Sequence, residues 1–297
     1  MGPGDRREGS MGHLRRTRTH HSKIARLPRR AQLTARSELT ETGTVLLSFD
    51  VIDEDPFRFT PGQFVAVDLV HPQLGYRRSP YCLYGGSEAE RTFQLLVRIV
   101  REGPVSVFLG DLEVGDVVSF RGPSGHSMLP RERDTHLVLM CTGVGLGPCR
   151  CLLRRLARED PGRRITLFWG LRLEEDVCLL DELLALEREL VNFTWEISLS
   201  QPRGEWPPLQ GRITETVPPL LERLDDKQFY LTSNGVMVAE MGAALREVGV
   251  PGSRIYEESF FDHRHRPSRE AVQRIVQRFE TDMTAEVRAF RTRYSSG

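Results

Sequence analysis

The residues best suited to chemistry lie in Cys141-Thr142-Gly143-Val144-Gly145-Leu146-Gly147-Pro148. An apolar run, Leu137 to Met140, enters this turn, and a pattern rich in Leu and Arg leaves it. Glycines at a strand-to-helix junction let backbone approach a bulky ligand, and the helix start offers unpaired N–H groups to phosphate. The spacing is not the GxGxxG of the dinucleotide fingerprint, and an ordinary strand–helix turn uses glycines too. A second helix start is Gly103-Pro104-Val105-Ser106, where Ser is also a favoured cap residue. A third group, Tyr76-Arg77-Arg78-Ser79-Pro80-Tyr81-Cys82-Leu83, sets an Arg pair beside an aromatic residue. No Ser-His-Asp set is evident.

Composition narrows the class. The 297 residues suffice for one large domain or two ordinary ones, and 39% hydrophobic with 28% charged residues is globular. Zero formal net charge argues against general affinity for nucleic acid or a membrane surface. The five cysteines form no CxxC pair and no ferredoxin-type spacing, which argues against an iron–sulfur cluster. Their odd number and apolar settings fit reduced thiols in a cytoplasmic protein. No apolar run reaches the roughly 20 residues a spanning helix needs.

Those sites need elements to hold them, and the chain divides accordingly. Residues 1–30 read as a disordered basic arm, although a mitochondrial targeting peptide is also Arg-rich and acid-poor. Residues 31–131 carry short strand signals, TGTVLLSFDV, GQFVAVDLV, FQLLVRIV and GDVVSFRGP, punctuated by Pro and Gly. They predict an antiparallel barrel of Greek-key type with one helix over Val105 to Leu112. Residues 132–262 alternate strand and helix, which predicts a parallel sheet covered on both faces. The helices expected there include DVCLLDELLALEREL and an interrupted TETVPPLLERL. Residues 263–297 predict a further helix whose stripe, Val272, Ile275, Val276, Phe279, Met283, Val287 and Phe290, suits its own domain or a homodimer contact.

In this order the motifs resemble the ferredoxin–NADP reductase superfamily, and the bacterial ferredoxin/flavodoxin–NADP reductase type in particular, over about Gln32 to Asp262. The resemblance implies an FAD-binding barrel, an NAD(P)-binding α/β domain, and hydride transfer from NADPH or NADH to the flavin. PGQFVAVDL is similar to the family's first barrel landmark. By resemblance Tyr81 lies along the flavin ring, flanked by Cys82 and Leu83, and Arg78 holds the FAD diphosphate. Arg78 stands one residue further from Tyr81 than in the family, and Cys82 replaces the usual Ser or Thr near the reacting flavin atom. A thiol is the weaker donor. Gly103, Val105 and Ser106 match the family's diphosphate-binding helix start, with Arg98 a further candidate.

For the dinucleotide, Thr142, Gly143, Gly145 and Pro148 match the family's Thr-Gly-x-Gly-x-x-Pro turn. Arg172, after the strand ITLFW, and Ser200 with Arg203 lie where the adenosine 2′-phosphate is told from a hydroxyl. Gln201 stands there in place of an Arg, and Arg172 and Arg203 tilt the choice toward NADPH. Thr232 to Met237 corresponds to a Cys-Gly-x-x-x-Met segment, with Thr232 for the Cys near the nicotinamide and Ser233 for the Gly. Glu257-Glu258-Ser259-Phe260-Phe261 resembles the terminal Glu-x-x-Phe, which makes Glu258 or Glu257 the carboxylate of the reaction centre and Phe260 a cover for the flavin. The implied catalytic group is therefore Cys82, Thr232 and Glu258.

Three functions follow from these features. The first is an FAD-dependent NAD(P)H oxidoreductase passing electrons to a ferredoxin or flavodoxin carrier, which Arg77, Arg78 and Arg101 would dock. The second is the reductase component of an oxygenase that works through a separate ferredoxin. The third is a weakened flavin- or nucleotide-binding sensor, motivated by the substitutions at Cys82, Thr232 and Ser233.

Overall fold

The computed structural model describes residues 28–260 apart from 74, 88–90, 131, 133 and 207–208. Residues 1–27 of the expected basic arm, and the C-terminal helix with its dimer stripe, therefore lie outside the described residues.

The first half is a closed antiparallel barrel in the order β1-β2-β5-β4-β3-β6. Its strands are β1 (Arg29–Thr40), β2 (Thr44–Val51), β3 (Phe64–His71), β4 (Gly75–Gly85), β5 (Thr92–Arg98) and β6 (Val117–Ser124). Alternation turns every second side chain inward, so Phe49, Phe93 and Phe120 meet Phe57 in a fully buried aromatic core. Ring centroids there lie 5.1 to 5.8 Å apart. Helix α1 (Pro104–Asp111) closes one end of the barrel with Val105 and Leu109. Strand β1 starts at Arg29, ahead of the boundary expected from sequence, because Arg29 is itself a core residue. Its guanidinium donates to Asp55 O at 2.7 Å and Pro56 O at 3.1 Å and lies over the Phe57 ring.

The second half is a parallel sheet in the order β10-β9-β8-β7-β11-β12. The strands are β7 (His136–Thr142), β8 (Ile165–Leu171), β9 (Phe193–Leu199), β10 (Leu209–Gln210), β11 (Lys227–Asn234) and β12 (Ile255–Phe260). Helices α2 (Leu146–Glu159), α3 (Leu180–Glu189), α4 (Ile213–Thr216) and α5 (Gly235–Glu247) connect them. The chain runs outward from β7 through β8 to β9, then returns to β11 on the other side of β7. That reversal is a topological switch point, where open α/β sheets leave a crevice at the carboxyl ends of their strands. Two helices differ from expectation. TETVPPLLERL gives only the single turn α4 and a 3-10 turn over Pro218–Leu220, since two prolines remove the N–H groups a longer helix needs. Helix α3 starts at Leu180, after Leu179 takes a left-handed backbone with φ 59°.

The halves meet along α2 and β4. Arg150 of α2 lies 4.5 Å over the Tyr84 ring and donates through Nε to Glu182 of α3 at 2.6 Å, while the Tyr84 hydroxyl bonds the same carboxylate. A Cβ at Gly85 would lie 2.5 Å from Arg150 Nη1, so a side chain there would displace the guanidinium from its place beside Tyr84. Among the described residues no helix is long and apolar enough to cross a membrane.

Candidate functional site

At the switch point, β7 ends in the glycine turn. Gly143 has φ +51°, is exposed, and has open space where a Cβ would project. Its carbonyl accepts from Trp169 Nε1 at 2.9 Å, which fixes the peptide's orientation. Thr142 is half-buried, with its hydroxyl bonded to that of Ser233. Gly145 and Pro148 are buried and start α2. Thr232 is fully buried; its hydroxyl donates to Gly145 O at 2.9 Å and lies 3.2 Å from Cys149 Sγ. Asn234 caps α5 by accepting from Met237 N at 3.0 Å, and the Met237 side chain packs in the sheet's core.

The barrel presents Cys82 to this end of the sheet. Cys82 is half-buried, and its thiol pKa is pushed well above its ordinary value, first by burial and then by the charge of Glu258. Cys149 and Cys151 act on it in the same direction. Residues from β4, β12 and α2, distant in sequence, thus converge at one point. The two candidate acids of β12 separate here. Glu257 pairs with Arg246 of α5 at 2.8 Å, whereas Glu258 lies by Cys82 and 3.4 Å from the Tyr256 hydroxyl. Tyr256 also donates to His126 O of the barrel at 3.3 Å and so ties β12 to the first half. Phe260 ends β12, paired in register with Asn234.

On the barrel side, Tyr81 is half-buried with its ring against the core, and Leu83 and Val105 belong to that core. Burial raises the Tyr81 pKa. Arg78 faces Asp68 across the β3–β4 pair and donates to it at 2.6 Å, both side chains being 8% exposed. The same carboxylate receives Tyr76 Oη at 2.6 Å and lies 3.6 Å from Arg121. Arg98 bonds the Thr42 and Thr44 hydroxyls and pairs with Asp176, across the junction, at 3.0 Å. The Ser106 hydroxyl accepts from Val100 N at 3.0 Å and donates to Gly103 O at 2.8 Å. The side chain therefore braces the loop, and what α1 offers outward is backbone. The N–H groups of Val105 and Ser106 precede the first intrahelical bond, Val107 N to Gly103 O, and have no acceptor within the helix.

Toward β8 and β9, Arg172 Nε donates to Gln201 Oε1 at 2.8 Å, bridging the two strand ends. The Ser200 amide donates to Leu171 O at 3.0 Å. Arg203 is exposed and paired with Glu175 at 2.5 Å, and its amide donates to Glu174 at 2.9 Å. The structure thus brings Cys82, Glu258, Thr142, Gly145 and Thr232 together, and sets Arg172, Ser200 and Arg203 at the far side of the sheet. Sequence reasoning missed Asp68, Asp176 and Cys149. Asp68 was open to a cross-strand argument, since β3 and β4 form a hairpin with Arg on one strand and Asp on the other.

These residues fit the two groups implied by the sequence. A diphosphate suits the α1 start, a flat ring suits Tyr81, and the open face of Gly143 admits a dinucleotide backbone. Two family models match the chain: "Oxidoreductase FAD-binding domain" over residues 30–128 and "Oxidoreductase NAD-binding domain" over residues 139–241. The chain is 26% identical to the toluate 1,2-dioxygenase electron transfer component of Pseudomonas putida, covering 75% of this chain and 65% of that protein. It is 28% identical to ferredoxin–NADP reductase B of Sorangium cellulosum, covering 72% of this chain and 90% of that one. Among solved structures, a cytochrome P450 reductase from Amycolatopsis superposes with a TM-score of 0.70 at 23% identity, over 79% of this chain and 70% of that one. A ferredoxin–NADP reductase from Neisseria gonorrhoeae gives 0.66 at 19%, over 79% and 99%. A flavin-type barrel joined at a switch point to a dinucleotide-binding sheet defines a two-domain flavin–nicotinamide oxidoreductase. The chain belongs to the ferredoxin–NADP reductase superfamily.

Proposed function

We propose that the protein oxidises NADPH or NADH at the crevice between barrel and sheet and delivers electrons to a ferredoxin- or flavodoxin-type carrier. The observation that carries this reading is the meeting of Cys82 and Glu258 beside the glycine turn at the switch point. Bound FAD would supply the chemistry, the conversion of one hydride, with its two electrons, into single-electron transfers. Tyr81 gives the ring an apolar wall, and the Val105 and Ser106 amides hold the diphosphate. Thr142 and the open Gly143 backbone receive the dinucleotide. The Cys82 thiol, kept protonated by burial, is a weak donor at the reacting edge. The Glu258 carboxylate stands where a proton can be held near that edge. Arg172, Ser200 and Arg203 receive the adenosine end, and the carrier docks on basic residues of the barrel rim, Arg77 and Arg101.

A second reading, the reductase component of an oxygenase with a separate ferredoxin, is favoured by the likeness to the toluate dioxygenase component. Purified protein with FAD is mixed anaerobically with each reduced dinucleotide, then with ferredoxin or flavodoxin. Flavin bleaching followed by carrier reduction is expected. A colourless protein that takes up no FAD overturns both readings.

A further inference from the structure

Thr232 takes the position of a residue expected to face the nicotinamide, yet its side chain is fully buried. It sits on β11 opposite Cys141 of β7, on the strand that carries the turn. A Cβ at Gly145 would lie 2.1 Å from Thr232 O, so the first turn of α2 rests directly on the β11 backbone. The Thr232 hydroxyl has one proton, and Gly145 O, 2.9 Å away, can only accept it. Thr232 Oγ1 must then accept from the Cys149 thiol, whose sulfur lies 3.2 Å off. A one-way chain of donors, Cys149 to Thr232, thus ends on a single backbone carbonyl, and both side chains are 0% exposed.

Most buried side chains of this sheet are apolar, and a valine at 232 would match threonine in shape. Polar groups in so dry a place destabilise unless each is satisfied. Here each is satisfied, and the chain terminates on Gly145, between the exposed Gly143 and the body of α2. A second tie, Thr142 to Ser233, joins the same two strands at the rim.

We propose that Thr232 and Cys149 are positioning residues that hold the Gly143–Gly147 turn in its dinucleotide-binding geometry through Gly145 O, without touching the cofactor. This rests on the functional reading above.

The test uses the full chain loaded with FAD, in four forms: wild type, Thr232→Val, Thr232→Ser and Cys149→Ala. Calorimetry with the oxidised dinucleotide measures affinity, and stopped flow measures flavin reduction at saturating reduced dinucleotide. Flavin content and Tm are recorded in parallel. Thr232→Val should bind the dinucleotide about tenfold more weakly, as loss of one buried hydrogen bond implies. Its saturating rate should stay within about twofold and its flavin content unchanged, because the barrel half is untouched. Thr232→Ser should restore affinity, and Cys149→Ala should weaken it by roughly threefold. Wild-type affinity in Thr232→Val, failure of Thr232→Ser to restore it, or flavin loss in Thr232→Val overturns the inference. A wild-type protein that binds no dinucleotide overturns the functional reading, and the inference with it.

Discussion

The two halves of the site solve ligand binding in different ways. In the barrel, the polar side chains near the site are already engaged: Arg78 with Asp68, Arg98 with Asp176 across the junction, and Ser106 with its own loop. What remains for a ligand is a ring, Tyr81, and the backbone start of α1. In the sheet, the turn is held from beneath by buried hydroxyls and a thiol, while Gly143 is exposed and its missing side chain leaves open space. Both halves present backbone to the ligand and use side chains as braces. They differ in the brace nearest the ligand: the Arg78–Asp68 ion pair on the strand of Tyr81, and neutral hydrogen bonds beneath the glycine turn. The contrast predicts that the brace beside Tyr81 responds to pH and salt and the one beneath the glycine turn does not.

The largest effect should come from Gly145→Ala. The new Cβ would meet a backbone oxygen at 2.1 Å, which no rotamer change relieves. Destabilisation of about 3 kcal/mol, at the upper end for overpacking, should appear in denaturant unfolding; a change under about 1 kcal/mol would mean the turn yields easily. Next is Asp68→Asn, which removes the carboxylate shared by Arg78, Arg121 and Tyr76. Because Arg121 is 20% exposed, the cost should be about 2 kcal/mol, below that of breaking a fully buried pair. Unfolding with and without FAD also tells whether the diphosphate can take Asp68's place as a partner.

Tyr81→Ala should weaken FAD retention about tenfold, or ~1.4 kcal/mol, while the barrel stays folded. Flavin content after gel filtration measures it, and unchanged content would move the ring site elsewhere. The smallest effect belongs to the junction. Burial opposes ionisation of Asp176, yet bonds from Thr42 and Arg98 outweigh it and hold the carboxyl below its ordinary range. A folded pKa below the unfolded value of ~3.9 stabilises the fold above that pH and is lost as pH falls through the folded pKa. Wild type should therefore lose about 1 kcal/mol more than Asp176→Asn on acidification below pH ~4, read by denaturant midpoints. Equal acid dependence would remove Asp176 from the junction.

Much of this was legible in the sequence, and the reasons differ by element. The glycine turn, α2 and strands β7, β8, β9 and β11 have buried apolar runs with clear punctuation, so both type and order could be read. Strand β1 was harder, because its polar sequence RRAQLTARSELT buries an arginine whose partners, Asp55 O and Pro56 O, lie far along the chain. The site motifs could be located but their side-chain roles could not. Ser106 and Thr232 look the same in sequence whether a hydroxyl faces ligand or protein, and only the fold shows both turned inward. Glu257 and Glu258 are neighbours in sequence, and strand alternation alone sends one to Arg246 and the other to Cys82.

The central proposal is that one crevice joins a flavin held by the barrel to a dinucleotide held by the sheet. Anaerobic stopped-flow mixing of the FAD-loaded protein with NADPH, and separately with NADH, tests it most directly. Bleaching of the oxidised flavin band, saturating with dinucleotide concentration, is the expected result. A protein that binds FAD yet keeps it oxidised at saturating concentrations of both dinucleotides would contradict it.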